Sequence, residues 1–353
     1  MLNKFDTEII EMKKLFKKGI FGLSGYMGNY SAGFQGGENI KELEKKISDK
    51  FNSNYAICCN SATSALLIAL VATCEFNFEK EHREVIVTPY SMTCSASIPI
   101  WAGYTPVFAD IEEDYFCLSA DDIEKKITKH TKAIIVVDLF GHTYDVERIN
   151  KIAKENNIVV IEDAAQAIGA KYKNKFAGTL GDVGILSFNT HKHITTGEGG
   201  VILTDNSETA FKARLVMNHA EAVVNDMQSQ GFSIKGYERA LGLNLRMTEM
   251  QAVVAIEQLK KLDKILETYR GNAKYFPIKH RDDVLHSYYR YAFTDTEKID
   301  KNTPYDDFHF KTGYINPVYN MPLFQSLGYE KKQCKNAEHI NKNIMLVWNQ
   351  GCG

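Results

Sequence analysis

The chain has no excess of charge of one sign: 42 Lys and Arg stand against 44 Asp and Glu, a formal net charge of −2 over 353 residues. That balance argues against the basic footprint of a nucleic-acid binder or of a membrane-surface protein. No apolar run approaches the length of a membrane span, and residues 1–18 are charged throughout, without the apolar centre of a signal peptide, so a cytoplasmic location is expected. The seven cysteines contain no C-x-x-C pair, with Cys58 and Cys59 adjacent and the rest scattered. Neither a disulfide framework nor a zinc site is suggested, and a reducing compartment is the default. His191 and His193 invite a metal reading, but no second ligand cluster accompanies them. Also missing are repeats of solenoid length, low-complexity tracts, a G-x-G-x-x-G after the first apolar run and any G-x-x-x-x-G-K-[ST], so solenoid, dinucleotide and P-loop readings lack support.

What is present is alternation. Asp6 is placed to cap a first helix carrying Ile9, Met12, Leu15 and Phe16, with Gly19 placed to end it. Over residues 21–37 glycine recurs among aromatics, which reads as an ordered loop lying over something. Ile40, Leu43, Ile47 and Phe51 mark an amphipathic helix. Strands are then predicted at 55–58, 85–88, 106–109, 133–139 and 158–161, separated by helices at 63–74, up to 102, at 120–127 and at 146–154. Such alternation predicts an α/β fold with a mostly parallel central sheet and helices on both faces. A long helix is predicted over 247–262, then an aromatic and polar stretch with a last helix over 337–348. The expected division is a large domain, 1–265, and a small α+β C-terminal domain, 266–353, shorter than usual.

In a doubly wound sheet ligands gather beyond the carboxyl ends of the strands, and four features fall there. Asn60-Ser61-Ala62-Thr63-Ser64 opens a helix whose free N–H groups and hydroxyls can hold a phosphate; the same residues would serve as an ordinary cap. Glu162-Asp163-Ala164-Ala165-Gln166 follows the most apolar strand: a carboxylate there can pair with a protonated ring nitrogen, and an amide one helical turn on can reach the same ring, although Asp163 before two alanines is also a good helix start. Pro89-Tyr90-Ser91-Met92-Thr93 follows the 85–88 strand and can set a side chain against a flat ring, or simply pack. The segment 187–200 carries one lysine, Lys192, with Ser187 five residues earlier as a second phosphate ligand. A lysine in a packed, partly dry turn is a nucleophile toward carbonyls through Schiff-base formation. Together these parts describe a site for a planar, phosphorylated, protonated heteroaromatic aldehyde, pyridoxal 5′-phosphate (PLP).

At these motifs the chain resembles the DegT/StrS group of PLP-dependent sugar aminotransferases, enzymes of the aspartate-aminotransferase fold (fold type I). Asn60 to Leu66 resembles the phosphate segment, residues 103–111 the G-x-x-P-V-F-x-D-I strand, Glu162 to Gln166 the E-D-A-A-[HQ] segment, residues 187–200 the S-F-x-x-x-K-x-x-x-x-G-E-G-G segment, and Gly242 to Met247 the G-x-N-x-R-M segment. The resemblance implies that Lys192 is the catalytic Schiff-base lysine and proton shuttle, that Asp163 keeps the pyridine nitrogen protonated and that Gln166 contacts the phenolic oxygen. It implies phosphate binding by Ala62 and Thr63 backbone groups and Ser187, and Asn244 completing the neighbour's site in a homodimer. Met92 stands where the family usually stacks an aromatic ring, and the histidine that usually follows Pro-Leu is replaced in Pro322-Leu323-Phe324. The implied reaction moves an amino group from an amino acid, glutamate being the expected donor, to a keto sugar, foremost a nucleotide-linked 4-keto-6-deoxy sugar for polysaccharide biosynthesis. A free sugar acid, a small phosphorylated carbonyl, a PLP-dependent sugar dehydratase and a non-catalytic scaffold are the alternatives.

Overall fold

In a computed structural model of the protein the structure describes residues 5–17, 19, 26, 33–74, 82–331 and 333–349. In chain order the elements are α1 (Asp6–Phe16), α2 (Glu38–Phe51), β1 (Tyr55–Cys59), α3 (Ala62–Cys74), β2 (Glu84–Val87), α4 (Cys94–Trp101), β3 (Thr105–Phe108), α5 (Ala120–Lys126), β4 (Thr131–Val137), α6 (Val146–Glu155), β5 (Val159–Asp163), β6 (Lys171–Tyr172), β7 (Lys175–Phe176), β8 (Val183–Ser187), β9 (Gly200–Thr204), α7 (Ser207–Met217), α8 (Ala220–Ser229), α9 (Glu249–Asn272), β10 (Val284–Leu285), β11 (Tyr291–Phe293), β12 (Phe308–Thr312), α10 (Pro322–Ser326), α11 (Lys335–Asn343) and β13 (Met345–Asn349). The chain divides into two compact units, Met1–Lys80 with Ile185–Leu262 and Glu81–Gly184 with Asp263–Gly353.

In the first unit the stripe Ile40, Leu43, Ile47 and Phe51 of α2 is buried, as its helical spacing requires. The α2 N-terminus follows Gly37, which has no side chain to cap it. Glu249 does so instead, accepting from the Asn39 N–H at 3.0 Å and the Ile40 N–H at 3.1 Å. Strand β1 pairs antiparallel with β9, from Tyr55 opposite Thr204 to Cys59 opposite Gly200. Helix α3 is apolar on every side and most of it is buried. A buried ion pair lies beside it: Arg214 on α7 donates to Glu44 on α2 at 2.7 Å, while the Cys58 N–H donates to the other Glu44 oxygen at 2.9 Å.

The second unit holds four parallel strands in the order β5-β4-β2-β3, with α4, α5 and α6 as the intervening crossovers. Their near-continuous Val and Ile runs are what burial on both faces demands, and the predicted strands lie within two residues of these positions. The C-terminal stretch forms a three-stranded antiparallel sheet, β11-β13-β12. Tyr269, Phe276, Tyr291, Phe293, Phe308 and Val347 form its core.

Three local expectations are corrected. Asp6 lies in the first turn of α1 rather than at its cap, which is Phe5. The predicted helix over 337–348 stops at Asn343, because Ile344 is extended and Met345–Asn349 pairs with strands on both sides. No helix follows Asp163: Ala164 to Ala170 is a pair of turns closed by Ala167 N–H to Ala164 O (2.9 Å) and Ala170 N–H to Ala167 O (2.8 Å). The Asp163 carboxylate accepts from the Ala165 N–H at 3.1 Å, a local bond that competes with helix formation. The glycine and aromatic loop expected over 21–37 lies largely outside the described residues, of which only Tyr26 and 33–37 belong to it.

Candidate active site

The first unit carries Lys192 and the segment expected to hold a phosphate. The segment between β8 and β9 is folded back on itself: the Phe188 N–H donates to Gly199 O at 2.9 Å, the Thr196 N–H to Phe188 O at 3.0 Å, and the Thr195 hydroxyl to Phe188 O at 3.0 Å. Within that closed loop Asn189 to Lys192 forms a tight turn, with the Lys192 N–H on Asn189 O at 2.9 Å, and leaves Lys192 half-buried. Ser187 ends β8, almost fully buried, and its hydroxyl accepts from the Asn189 N–H. Residue 200 must be glycine, since a Cβ there would lie 2.4 Å from the Ser61 carbonyl and 2.6 Å from the Ala62 nitrogen. This close approach sets β9 directly against the first turn of α3.

That first turn has the character of an anion site. Ser61 caps α3, accepting from the Ser64 N–H at 3.1 Å, while Ala62 and Thr63 sit at the positive end of a 13-residue helix. The buried Asn60 Oδ1 has no hydrogen-bond partner among the described residues, and the Asn60 N–H is tied to Leu245 O at 2.9 Å. A cradle in which a Cβ would collide with backbone, set against a helix N-terminus, fits a phosphorylated group. Residues 243–246 run antiparallel to 216–218, with Asn244 bridging Asn218 and exposed to solvent; the Arg246 guanidinium donates to Asn218 Oδ1 at 2.6 Å and lies over the Tyr26 ring at 5.1 Å.

The second unit carries Asp163 and Gln166, the residues expected to meet the ring. Asp163 ends β5 and is 5 % exposed; Gln166 follows in the turn, 4 % exposed. Gln166 Oε1 accepts from the Phe140 N–H at 3.1 Å, and its Nε2 donates to the Tyr314 hydroxyl at 3.2 Å. Phe140 itself has a left-handed backbone, φ 59°, so its N–H is turned toward Gln166 by local strain. Beneath Asp163 lies a second acid pair. Glu162 accepts from the backbone N–H groups of Gly178 (2.7 Å), Leu180 (2.7 Å) and Gly181 (3.1 Å). Burial and the neighbouring Glu162 push the Asp138 carboxyl well above the usual carboxylate range. Met92, in the loop after β2, is 53 % exposed.

The chain matches the model of the DegT/DnrJ/EryC1/StrS aminotransferase family over residues 29–347. It belongs to that family. It is 33 % identical to GDP-perosamine synthase of Escherichia coli O157:H7 over 310 residues, covering 84 % of this chain and 81 % of that one. Among solved structures it is similar to an aminotransferase from Psychrobacter cryohalolentis, with a TM-score of 0.80 and 26 % identity over 97 % of this chain and 91 % of that one. It is also similar to a GDP-4-keto-6-deoxymannose-3-dehydratase with a trapped PLP-glutamate geminal diamine, with a TM-score of 0.77 and 25 % identity over 98 % of this chain and 93 % of that one. As a family member the chain is a PLP-dependent transaminase on a sugar-aminotransferase α/β fold. No helix of the described residues is long and apolar enough to cross a membrane, and among them no cluster of His, Cys, Asp or Glu is arranged to hold a metal.

Sequence reasoning missed two neighbours of the expected site residues. Asp138 follows β4, and parallel pairing alone would have set it beside the end of β5. Tyr314 is one of 18 tyrosines and stands 148 residues from Gln166, with no periodicity to single it out.

Proposed function

We propose that this aminotransferase moves an amino group from an amino acid, glutamate being the expected donor, to a nucleotide-linked 4-keto-6-deoxy sugar. The observation that carries the reading is the 33 % identity, over 84 % of the chain, to an enzyme named for a GDP-linked sugar. Bound PLP supplies an electron sink for the charge left when a proton leaves the carbon bearing the amino group. Lys192 would hold the cofactor through its Nζ and, as general base, would take up and return that proton. Asp163 keeps the ring nitrogen protonated, and Gln166 donates to the phenolic oxygen. Ala62 and Thr63 N–H groups with the Ser187 hydroxyl would hold the phosphate, and Met92 would offer its thioether to the ring. Asn244, exposed on its own chain, completes the site of a second copy in a cytoplasmic homodimer.

The likeness to a dehydratase supports a second reading, in which the sugar loses an oxygen instead of gaining nitrogen. One incubation separates the two. Purified enzyme is given glutamate and a panel of nucleotide-linked and free keto sugars, and products are read by mass. An amino sugar still carrying its nucleotide is expected, and Lys192→Ala abolishes it. Consumption of free carbonyls alone sinks the nucleotide-linked class, and a deoxy sugar without added nitrogen makes the enzyme a dehydratase.

A further inference from the structure

The Gln166 amide has only one orientation open to it. The Phe140 N–H can only donate, so the atom 3.1 Å from it must be the amide oxygen, and the nitrogen therefore faces Tyr314. Of the two hydrogens on Nε2, one goes to the Tyr314 oxygen. The other is left over, on a side chain that is 4 % exposed. Tyr314 is itself held from several sides. Its ring meets Phe140 edge-on at 5.1 Å and Tyr90 edge-on at 5.6 Å, and its backbone N–H donates to Asn341 Oδ1 at 3.2 Å. Burial pushes the Tyr314 phenol up to about 12, so it stays a neutral hydroxyl and an acceptor for the amide across the working range of pH.

We infer that Tyr314 is a positioning residue: its hydroxyl and the Phe140 N–H clamp the Gln166 amide so that the remaining N–H is presented to the phenolic oxygen of the cofactor. The inference rests on the proposed role of Gln166. Removing the hydroxyl leaves one buried N–H unpaired and frees the amide to rotate, whereas the ring contacts survive in phenylalanine. A weaker donor at a phenolate oxygen leaves more negative charge there, which favours the protonated form of the cofactor's link to lysine.

The test is a spectrophotometric pH titration of the bound cofactor in wild type, Tyr314→Phe, Gln166→Ala and the double variant, with cofactor affinity measured on the apo form of each. In Tyr314→Phe the midpoint of the absorption change is expected to rise by about 0.5 to 1 unit and the Kd for PLP by about threefold to tenfold. In the Gln166→Ala background the second substitution adds nothing, because the clamp has no object. An unchanged midpoint and Kd in Tyr314→Phe overturns the inference, as does a full-size effect of Tyr314→Phe in the absence of Gln166. If Gln166→Ala itself leaves the midpoint in place, the assigned role of Gln166 fails, and the inference with it.

Discussion

His142 gives the chain a built-in acid sensitivity whose size follows from its surroundings. The ring is 2 % exposed, stacks on Tyr115 with centroids 4.9 Å apart, bonds through Nδ1 to Thr143 O at 2.6 Å, and accepts the Arg281 N–H at Nε2 at 3.1 Å. With one nitrogen accepting and the other donating, the neutral tautomer is fully satisfied. Burial, with the positive Arg281 alongside, lowers its pKa from 6.5 to about 3. The folded state thus binds fewer protons than the unfolded chain between those two values, so the stabilisation is present above pH 6.5 and is lost as pH falls toward 3. At pH 5 the unfolded ring is about 1.5 units below its pKa while the folded ring is still neutral, which costs about 2 kcal/mol relative to pH 7. Urea unfolding at fixed protein concentration, run from pH 7 to pH 5 on wild type and His142→Gln, isolates that loss. The variant starts less stable, but its profile is flatter by about 2 kcal/mol. Parallel profiles would refute the reasoning. The stake is local, because His142 follows Phe140 and Gly141, whose backbone holds Gln166, Ser287 and Arg290.

Other perturbations test the remaining parts. Gly200→Ala drives a Cβ into the Ser61 carbonyl and the Ala62 nitrogen, so equilibrium binding should show PLP affinity falling about tenfold or more with circular dichroism preserved. Asp163→Ala removes the acid assigned to the ring nitrogen and is expected to raise the Kd for PLP by about 10- to 100-fold, read by fluorescence quenching of the apo form. Glu44→Ala strands Arg214 in a buried site, and chemical denaturation should register a loss of about 3 to 5 kcal/mol; replacing both partners by apolar residues should recover much of it.

The parallel strands were legible because burial on both faces writes an unbroken apolar run, as in Ala133 to Val137. The turn at Lys192 and the start of α3 were legible for another reason: their backbone pattern is local, set by residues within a few positions of one another. The segment after Asp163 was not. Ala164, Ala165 and Ala167 have high helix propensity, yet a carboxylate bond to Ala165 N–H and the hold of Phe140 on Gln166 outweigh it. The end of the chain misled in the opposite way: Met345–Asn349 finds its strand partners 33 to 56 residues earlier, beyond any local window. Tyr314 is the limiting case, since its role depends on a single bond to a residue in a distant segment.

Of the three crossings of the chain between its two compact units, Lys80–Glu81 lies outside the described residues, and the other two, Gly184–Ile185 and Leu262–Asp263, fall inside regular elements, β8 and α9, rather than in loops. A genetic cut at either point would leave half a strand or half a helix on each fragment. Split-reporter or fragment-exchange engineering of this polypeptide must therefore sever backbone hydrogen bonds at those crossings, whereas exchanging whole strands or whole helices with a relative leaves those ladders intact.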